Sequence, residues 1–278
     1  MKLKHIFLIF FCLTLAACQS STITTEVSPG DLVDDQSVSE EQVDLYVFAA
    51  ASMTETMTEI AELYKAQNPN VNVIFTFDSS GTLKTQIQEG AVADIFISAA
   101  QKQMNQLEVG NEANTEGLDF VKSETRINLV ENKVVLVVPA RNPAGVSVFA
   151  DMTKEDVKKI ALGNQDVPVG QYSEELLKNL GIWEEIQPKI TFGSNVKEVT
   201  TWVSSGSVDC GIVYSTDAFS AGLEVVDTAT NELIKTPIIY PAAVLKTSSH
   251  PEIALDFLSF LHSDEAKTIL QKVGFAIP

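Results

Sequence analysis

Histidine, arginine and cysteine are all scarce in this chain. Of 278 residues, three are histidine and three cysteine, and the only arginines are Arg126 and Arg141. No Gly-x-Ser-x-Gly elbow, no Gly-x-x-x-x-Gly-Lys loop and no zinc-spaced His/Cys set is spelled out, which removes the usual nucleophile, phosphate-loop and metal readings. Beyond residue 17, His250 and His262 are the remaining histidines. They read as surface residues, so a Ser-His-Asp triad lacks its base. With two arginines, an anion would have to be met by neutral N–H and O–H donors. Positive charge is short overall: 19 Lys and Arg face 37 Asp and Glu, a formal charge of −18. That argues against nucleic acid or anionic lipid as partners. A small anion is not excluded, because a dry pocket answers to its nearest dipoles and long-range repulsion is screened by salt. Pairs such as Glu174-Glu175 and Glu184-Glu185 read as solvated helix faces.

Long apolar runs are missing too, except at the start. Lys2 and Lys4 precede a 12-residue run from Ile6 to Ala17, too short to span a bilayer permanently. It ends Leu15-Ala16-Ala17-Cys18, which resembles the lipobox of bacterial lipoproteins. The resemblance implies a signal peptide over 1–17, cleavage before Cys18 and lipid on its thiol. Cleavage removes two lysines and no acid, taking the charge from −18 to −20. Gln19 to Gln42 is polar and acidic, without aromatics and broken by Pro29-Gly30. The segment 18–42 is therefore expected to be a lipid-anchored flexible tether, about 80 Å long when fully extended. Only Cys210 then remains. It lies in Val208-Asp209-Cys210-Gly211-Ile212-Val213-Tyr214, so no intramolecular disulfide is possible and a buried small residue is expected.

The remaining 236 residues suffice for one large domain or two lobes. Strand-like runs at Leu45–Phe48, Val71–Phe75, Ile95–Ser98, Lys133–Val138 and Gly211–Tyr214 alternate with helical patterns, which predicts an α/β fold with largely parallel sheet. One helix is predicted from Met53, with Met57, Ile60, Ala61 and Tyr64 on one face and a stop at Asn68-Pro69. Others are predicted after Ser79-Ser80-Gly81, through Tyr172–Leu180 to Gly181, from Asn195 to Gly206, over Ile253–His262, and over Asp264–Val273 to Gly274. Capping boxes are read at Ser52/Glu55, Asn195/Glu198 and Ser249/Glu252. No internal repeat is evident.

The chemistry that is present sits at helix starts. Val47-Phe48-Ala49-Ala50-Ala51-Ser52 is an apolar strand ending in small residues that open a helix. Small residues let a ligand approach the backbone, and the helix start offers free N–H groups and a positive dipole end. Ser79-Ser80, Val169-Gly170 and Asn195-Val196 stand at further predicted starts, and Tyr214 follows a strand. Each alone reads equally as a cap or core residue. Together they could form a cage of neutral donors.

The runs VFAAASMTETMTEIAELY, FDSSGTLKTQIQEGAVADIFISAAQKQM, VPVGQY, DCGIVYSTDA and GFAIP resemble the molybdate-binding proteins of ABC importers, in order, over about 43–278. The resemblance implies a two-lobed solute-binding fold of the type II periplasmic kind, each lobe a mixed, largely parallel sheet flanked by helices. Lobe I would be 43–126 and 239–278 and lobe II 127–238, with crossovers near Arg126–Glu131 and Ile238–Ala242. It further implies that Ser52 and Ser80 bind molybdate by hydroxyl and amide, joined by the Val169 and Val196 N–H groups and the Tyr214 hydroxyl. Such a protein is extracytoplasmic, catalyses nothing, needs no cofactor or metal ligand, partners ABC permease subunits and is expected to be a monomer.

A fully ionised tetrahedral dianion needs only donors. Hydrogen phosphate carries a proton and wants an acceptor, so a donor-only cage disfavours it. Sulfate must be told apart by size, and tungstate hardly at all. Two positions depart from the family pattern: Val169, where alanine is common, and Asp78, where a small residue is usual. Asp78 is expected to face solvent. The alternatives are a binding protein for sulfate, phosphate or a small organic anion, and a surface-anchored serine hydrolase using Ser52 or Ser80.

Overall fold

The computed structural model describes residues 42–278. The expected signal peptide, the lipid site at Cys18 and the tether lie outside the described residues. In chain order the strands are β1 (Val43–Ala50), β2 (Val71–Asp78), β3 (Ile95–Ile97), β4 (Ile127–Glu131), β5 (Val134–Val138), β6 (Ile160–Gly163), β7 (Ile190–Gly193), β8 (Cys210–Tyr214), β9 (Glu224–Thr228) and β10 (Ile239–Val244). The helices are α1 (Thr54–Gln67), α2 (Ser80–Gln88), α3 (Gln101–Leu107), α4 (Pro168–Asn179), α5 (Trp183–Ile186), α6 (Val196–Ser204), α7 (Ser215–Ser220), α8 (Pro251–Phe260) and α9 (Asp264–Lys272). Among the described residues, no helix is long and apolar enough to cross a membrane.

Two five-stranded sheets result, ordered β2-β1-β3-β10-β4 and β7-β6-β8-β5-β9. Each is mixed. In the first, β1 pairs in parallel with β2 and β3, and β10 runs antiparallel to β3 and β4. In the second, β6 pairs in parallel with β7 and β8, and β5 runs antiparallel to β8 and β9. The two lobes thus share one pairing pattern with no sequence repeat to announce it. Because β4 hydrogen-bonds to β10 in the first sheet, the chain changes sheets at Asn132–Lys133, later than the division after Arg126 that the sequence suggests. It returns just before β10.

Burial follows from the pleat. Along β1, Leu45, Val47 and Ala49 join one apolar cluster while Phe48 joins another with Leu83, Ile87, Phe96 and Met104. Helices cover both faces, so these strands read as near-continuous apolar runs. The chain's last helices pack on the first lobe: the Tyr64 ring of α1 meets Phe257 and Phe260 of α8 edge-on at 5.0 and 5.3 Å, and its hydroxyl donates to Asp256 at 2.8 Å.

Helix starts only partly obey the local code. Asn195 caps α6 by accepting from the Glu198 N–H at 3.1 Å, although the Glu198 carboxylate turns to Ser194 instead of closing the box on Asn195. Ser52 does not cap α1. It lies in a short 3-10 turn, Ala51–Met53, and α1 starts at Thr54 with Met53 as its flanking residue. Ser249 does not cap α8 either: His250 precedes it, and the Ser249 N–H donates to Asp94 at 3.2 Å. In both cases a partner far away in sequence outcompetes the local bond.

Candidate functional site

The lobes meet around a small cavity of about 10 Å³, walled by Ala50, Ala51, Ser52, Asp78, Ser79, Ser80, Ala99, Val167, Pro168, Val196 and Tyr214. This is well under the roughly 300 Å³ at which pockets for organic ligands begin, so it suits a small ion. The ends of β1, β2, β6 and β8 lead into it, and the first turns of α2, α4 and α6 abut it. N–H groups of a first turn have no intrahelical acceptor, and their dipoles favour negative charge. Broader, open depressions lie elsewhere, one of about 370 Å³ beside the chain crossings and one of about 350 Å³ near Trp183 and Phe192. Neither gathers helix starts as the small cavity does.

Of the five residues the family pattern points to, Ser52, Ser80, Val196 and Tyr214 line this cavity. Val169 is fully buried one residue beyond the wall, behind Val167 and Pro168. As the second residue of α4 its N–H is still a first-turn donor. Proline at the first position of α4 costs nothing there, since that N–H would go unused. Gly170 is dictated by packing: a Cβ would lie 2.3 Å from the Gly163 carbonyl oxygen, so only glycine lets α4 start this close to β6.

The hydroxyls are held from behind. Ser80 Oγ accepts from the Ala99 N–H at 2.9 Å, which leaves its own proton to give. Ser52 Oγ lies 3.0 Å from the Tyr240 hydroxyl. Tyr214, on β8, donates across the lobes to the Ala99 carbonyl at 3.2 Å. Burial, first of all, pushes the Tyr214 and Tyr240 hydroxyls well above the ordinary phenol pKa, so both stay protonated. No histidine bonds either serine among the described contacts. The Cys210 thiol, buried on β8, is pushed up to about 12 by burial and is an inert packing group.

Asp78 corrects the expectation that it faces solvent. It is half-buried in the cavity wall, and its Oδ1 accepts from the Ser79 N–H at 2.7 Å. A carboxylate therefore shares the α2 start with whatever binds there.

Sequence reasoning missed the contacts that hold the lobes together. The Gly81 N–H donates to the Asp166 carbonyl at 2.9 Å, and a Cβ on Gly81 would lie 2.4 Å from that oxygen. Lys197, on α6, reaches Glu55 of α1 at 2.7 Å and Asp217 of α7 at 3.2 Å. Asp217 is fully buried, and neither of its oxygens has a partner with hydrogen-bond geometry. Burial raises its pKa to about 6 against the opposing pull of Lys197. Burial alone would lower Lys197, but the Asp217 charge and the Glu55 bond outweigh it and raise its pKa. The Asp217 contact is thus an off-axis ion pair. Tyr240, Asn132 and Thr216 form a further buried cluster at the crossings. Lone residues on crossing strands leave no local pattern by which to find them.

Comparison with known proteins matches this architecture. The family described as bacterial extracellular solute-binding protein matches residues 45–276. A Bacillus subtilis protein, provisionally named an ABC transporter substrate-binding lipoprotein, is 34% identical over 265 residues, 95% of this chain and 93% of its own length. The molybdate-binding protein ModA of Haemophilus influenzae is 37% identical over 235 residues, covering 83% of this chain and 89% of that one. In fold, the periplasmic molybdate-binding protein of Azotobacter vinelandii superposes with a TM-score of 0.72 at 23% identity, covering 84% and 99% of the two chains. These relatives bind solutes and are not enzymes. With its family match spanning both lobes and the cavity between them, this chain belongs to the bacterial extracellular solute-binding proteins.

Proposed function

We propose that this protein captures molybdate, with tungstate as a near equivalent, and delivers it to the permease of an ABC importer. The observation that carries this reading is the small cavity itself, where three helix starts and the Ser52, Ser80 and Tyr214 hydroxyls converge and no cationic side chain lines the wall. Ser52 and Ser80 would donate through hydroxyls, Tyr214 by turning its proton from the Ala99 carbonyl to the ligand, and Ser80, Val169 and Val196 through first-turn N–H groups. Each lobe supplies part of the cage, so binding holds the lobes closed. The relatives named for molybdate support this choice of ligand. The named lipoprotein relative supports a membrane anchor at Cys18. The protein would act as a monomer tethered outside the cytoplasm.

A second reading rests on Asp78. A carboxylate in the wall can accept the proton of hydrogen phosphate, which a donor-only cage would reject. Thermal unfolding of the purified protein with molybdate, tungstate, sulfate and phosphate in turn separates the two. A ligand at a thousand times its Kd stabilises by about 4 kcal/mol. Stabilisation by molybdate and tungstate alone is expected. Stabilisation by phosphate or sulfate instead would keep the binding function and overturn the ligand, while silence from all four would overturn both readings.

A further inference from the structure

We propose that Asn132 and Tyr240 are positioning residues that fix the direction of the Ser52 proton, forcing Ser52 to donate into the cavity and making it a sensor of whether the bound oxyanion is fully deprotonated. This rests on the reading that Ser52 faces a bound oxyanion.

One end of this hydrogen-bond chain has a direction that admits no choice. The Lys133 backbone N–H can only donate, and it does so to Asn132 Oδ1 at 2.8 Å, where the Ser215 hydroxyl also arrives at 3.0 Å. The Asn132 amide is therefore oriented with Nδ2 on the opposite side, donating to Thr216 Oγ1 at 2.9 Å and to the Tyr240 hydroxyl oxygen at 3.1 Å. An amide NH2 has only protons to offer. Tyr240 thus accepts from Asn132 and must send its single proton elsewhere. Ser52 Oγ, at 3.0 Å, is the partner in reach. Among the described contacts the Tyr240 hydroxyl has hydrogen-bond geometry to Asn132 and Ser52 and not to the edge-on neighbour Tyr214, whose ring lies 5.6 Å away. Ser52 receives the Tyr240 proton, and its own proton is left for the cavity.

Asn132, Thr216, Tyr240 and Ser52 are each at least nine-tenths buried, so water does not scramble the order. The chain of donors begins at the crossing between the lobes and ends in the first lobe's wall. An oxyanion oxygen that carries no proton accepts from Ser52. One that carries a proton on that side meets a second proton and loses a bond to a charged group.

Asn132→Asp tests the direction. The introduced carboxylate keeps the bonds from Lys133 and Ser215 but can only accept, so Tyr240 turns its proton toward it and takes the Ser52 proton in turn. Ser52 then presents a lone pair to the cavity. By titration calorimetry with the full protein, the ratio of molybdate to hydrogen phosphate affinity should fall at least tenfold. Both ligands are chiefly dianionic at pH 8, so the added charge at position 132 cancels in that ratio. An unchanged ratio overturns the proposal.

The Ser52→Ala, Tyr240→Phe double-mutant cycle decides independently, should Asn132→Asp fail to fold. Tyr240→Phe should weaken molybdate binding about three- to tenfold, and should add nothing once Ser52 is replaced by alanine. Losses that multiply overturn the proposal. If the wild type binds sulfate or phosphate in place of molybdate, the same cycle is run on that ion. Non-additivity there would sustain the proton direction while the molybdate reading fails. If molybdate binds and the losses multiply, the reverse holds. A wild type that binds none of the ions removes both.

Discussion

The two walls of the cavity meet an anion by different chemistry. The first-lobe wall is written in side chains: two serine hydroxyls and one carboxylate, at Ser52, Ser80 and Asp78. The second-lobe wall is written largely in backbone: the starts of α4 and α6, occupied by valines and a proline, plus the single hydroxyl of Tyr214. A hydroxyl must be spelled by serine, threonine or tyrosine, whereas an N–H comes with any residue but proline. The first wall should therefore be sensitive to ordinary substitution, and the second indifferent to it except at Tyr214 or where the backbone itself changes.

The largest effect should come from the substitution that changes only backbone in the second wall. Val196 is the first residue of α6 and follows extended Asn195, at φ −153° and ψ 171°. Both positions tolerate proline. Val196→Pro deletes one N–H without breaking the helix, and should weaken molybdate binding by about 1.5–3 kcal/mol. Val196→Ala, which keeps the N–H, should bind within about twofold of wild type by the same scale. Equal losses from both would show that the wall works through side-chain packing, and the contrast between walls would collapse.

Next come the hydroxyls. Ser80→Ala and Tyr214→Phe should each cost about 1–3 kcal/mol of affinity, measured by calorimetry. Ser80→Ala also strands the Ala99 N–H, which now bonds Ser80 Oγ, so its loss should be the greater of the two. Unchanged affinity in both variants would move the cage elsewhere.

A third difference between the walls concerns charge below the surface. Asp217 lies fully buried behind the second wall, with its pKa raised by burial to about 6. A raised carboxyl pKa means that folding opposes ionisation. The cost is absent well below pH 4, where both states are protonated, builds up between about pH 4 and 6, and is constant above. Asp217→Asn should therefore stabilise the protein by about 1–2 kcal/mol at pH 8 and leave it unchanged at about pH 3. Thermal unfolding at the two pH values reads this directly. Lys197 keeps Glu55 as a partner in the variant, so no lone cation is created. Destabilisation at pH 8 would show that the off-axis ion pair with Lys197 outweighs the burial cost.

The same contrast governs what could be read from sequence. The α/β class, the strands at 45–48, 71–75 and 211–214 and the cap at Asn195 follow from patterns within a dozen residues. The four-residue strands β6 and β7 are too short to show a period, and β10 carries a proline in its middle. Ser52 illustrates the limit. Its spacing from Glu55 spells a capping box, yet the hydroxyl bonds Tyr240, 188 positions away. Glu55 meanwhile pairs with Lys197. Ser80 and Tyr214 could be singled out because their side chains carry the chemistry. The α4 and α6 starts could be placed by their helix patterns, but nothing in a valine marks it as a donor. Asn132, Tyr240 and Asp217 were beyond reach because each acts through partners distant in the sequence.

The smallest effect expected is also the one that would most sharpen the comparison. Asp78 makes the first wall self-contradictory: an anionic group at a helix start where an anion is meant to bind. Its Oδ1 holds the Ser79 N–H at 2.7 Å, so it both repels an incoming dianion and occupies one donor. Asp78→Ala removes the charge and frees that N–H. Molybdate affinity should rise by about 1 kcal/mol, or roughly fivefold, and the gain should shrink with added salt because half-buried charges are screened. Sulfate should gain in parallel, since it too carries no proton. Hydrogen phosphate should gain less or lose, because the carboxylate is the wall's acceptor for its proton. Molybdate affinity that falls in the variant would mean that Asp78 holds the α2 start in its binding shape, and that the first wall is organised by this charge more than burdened by it.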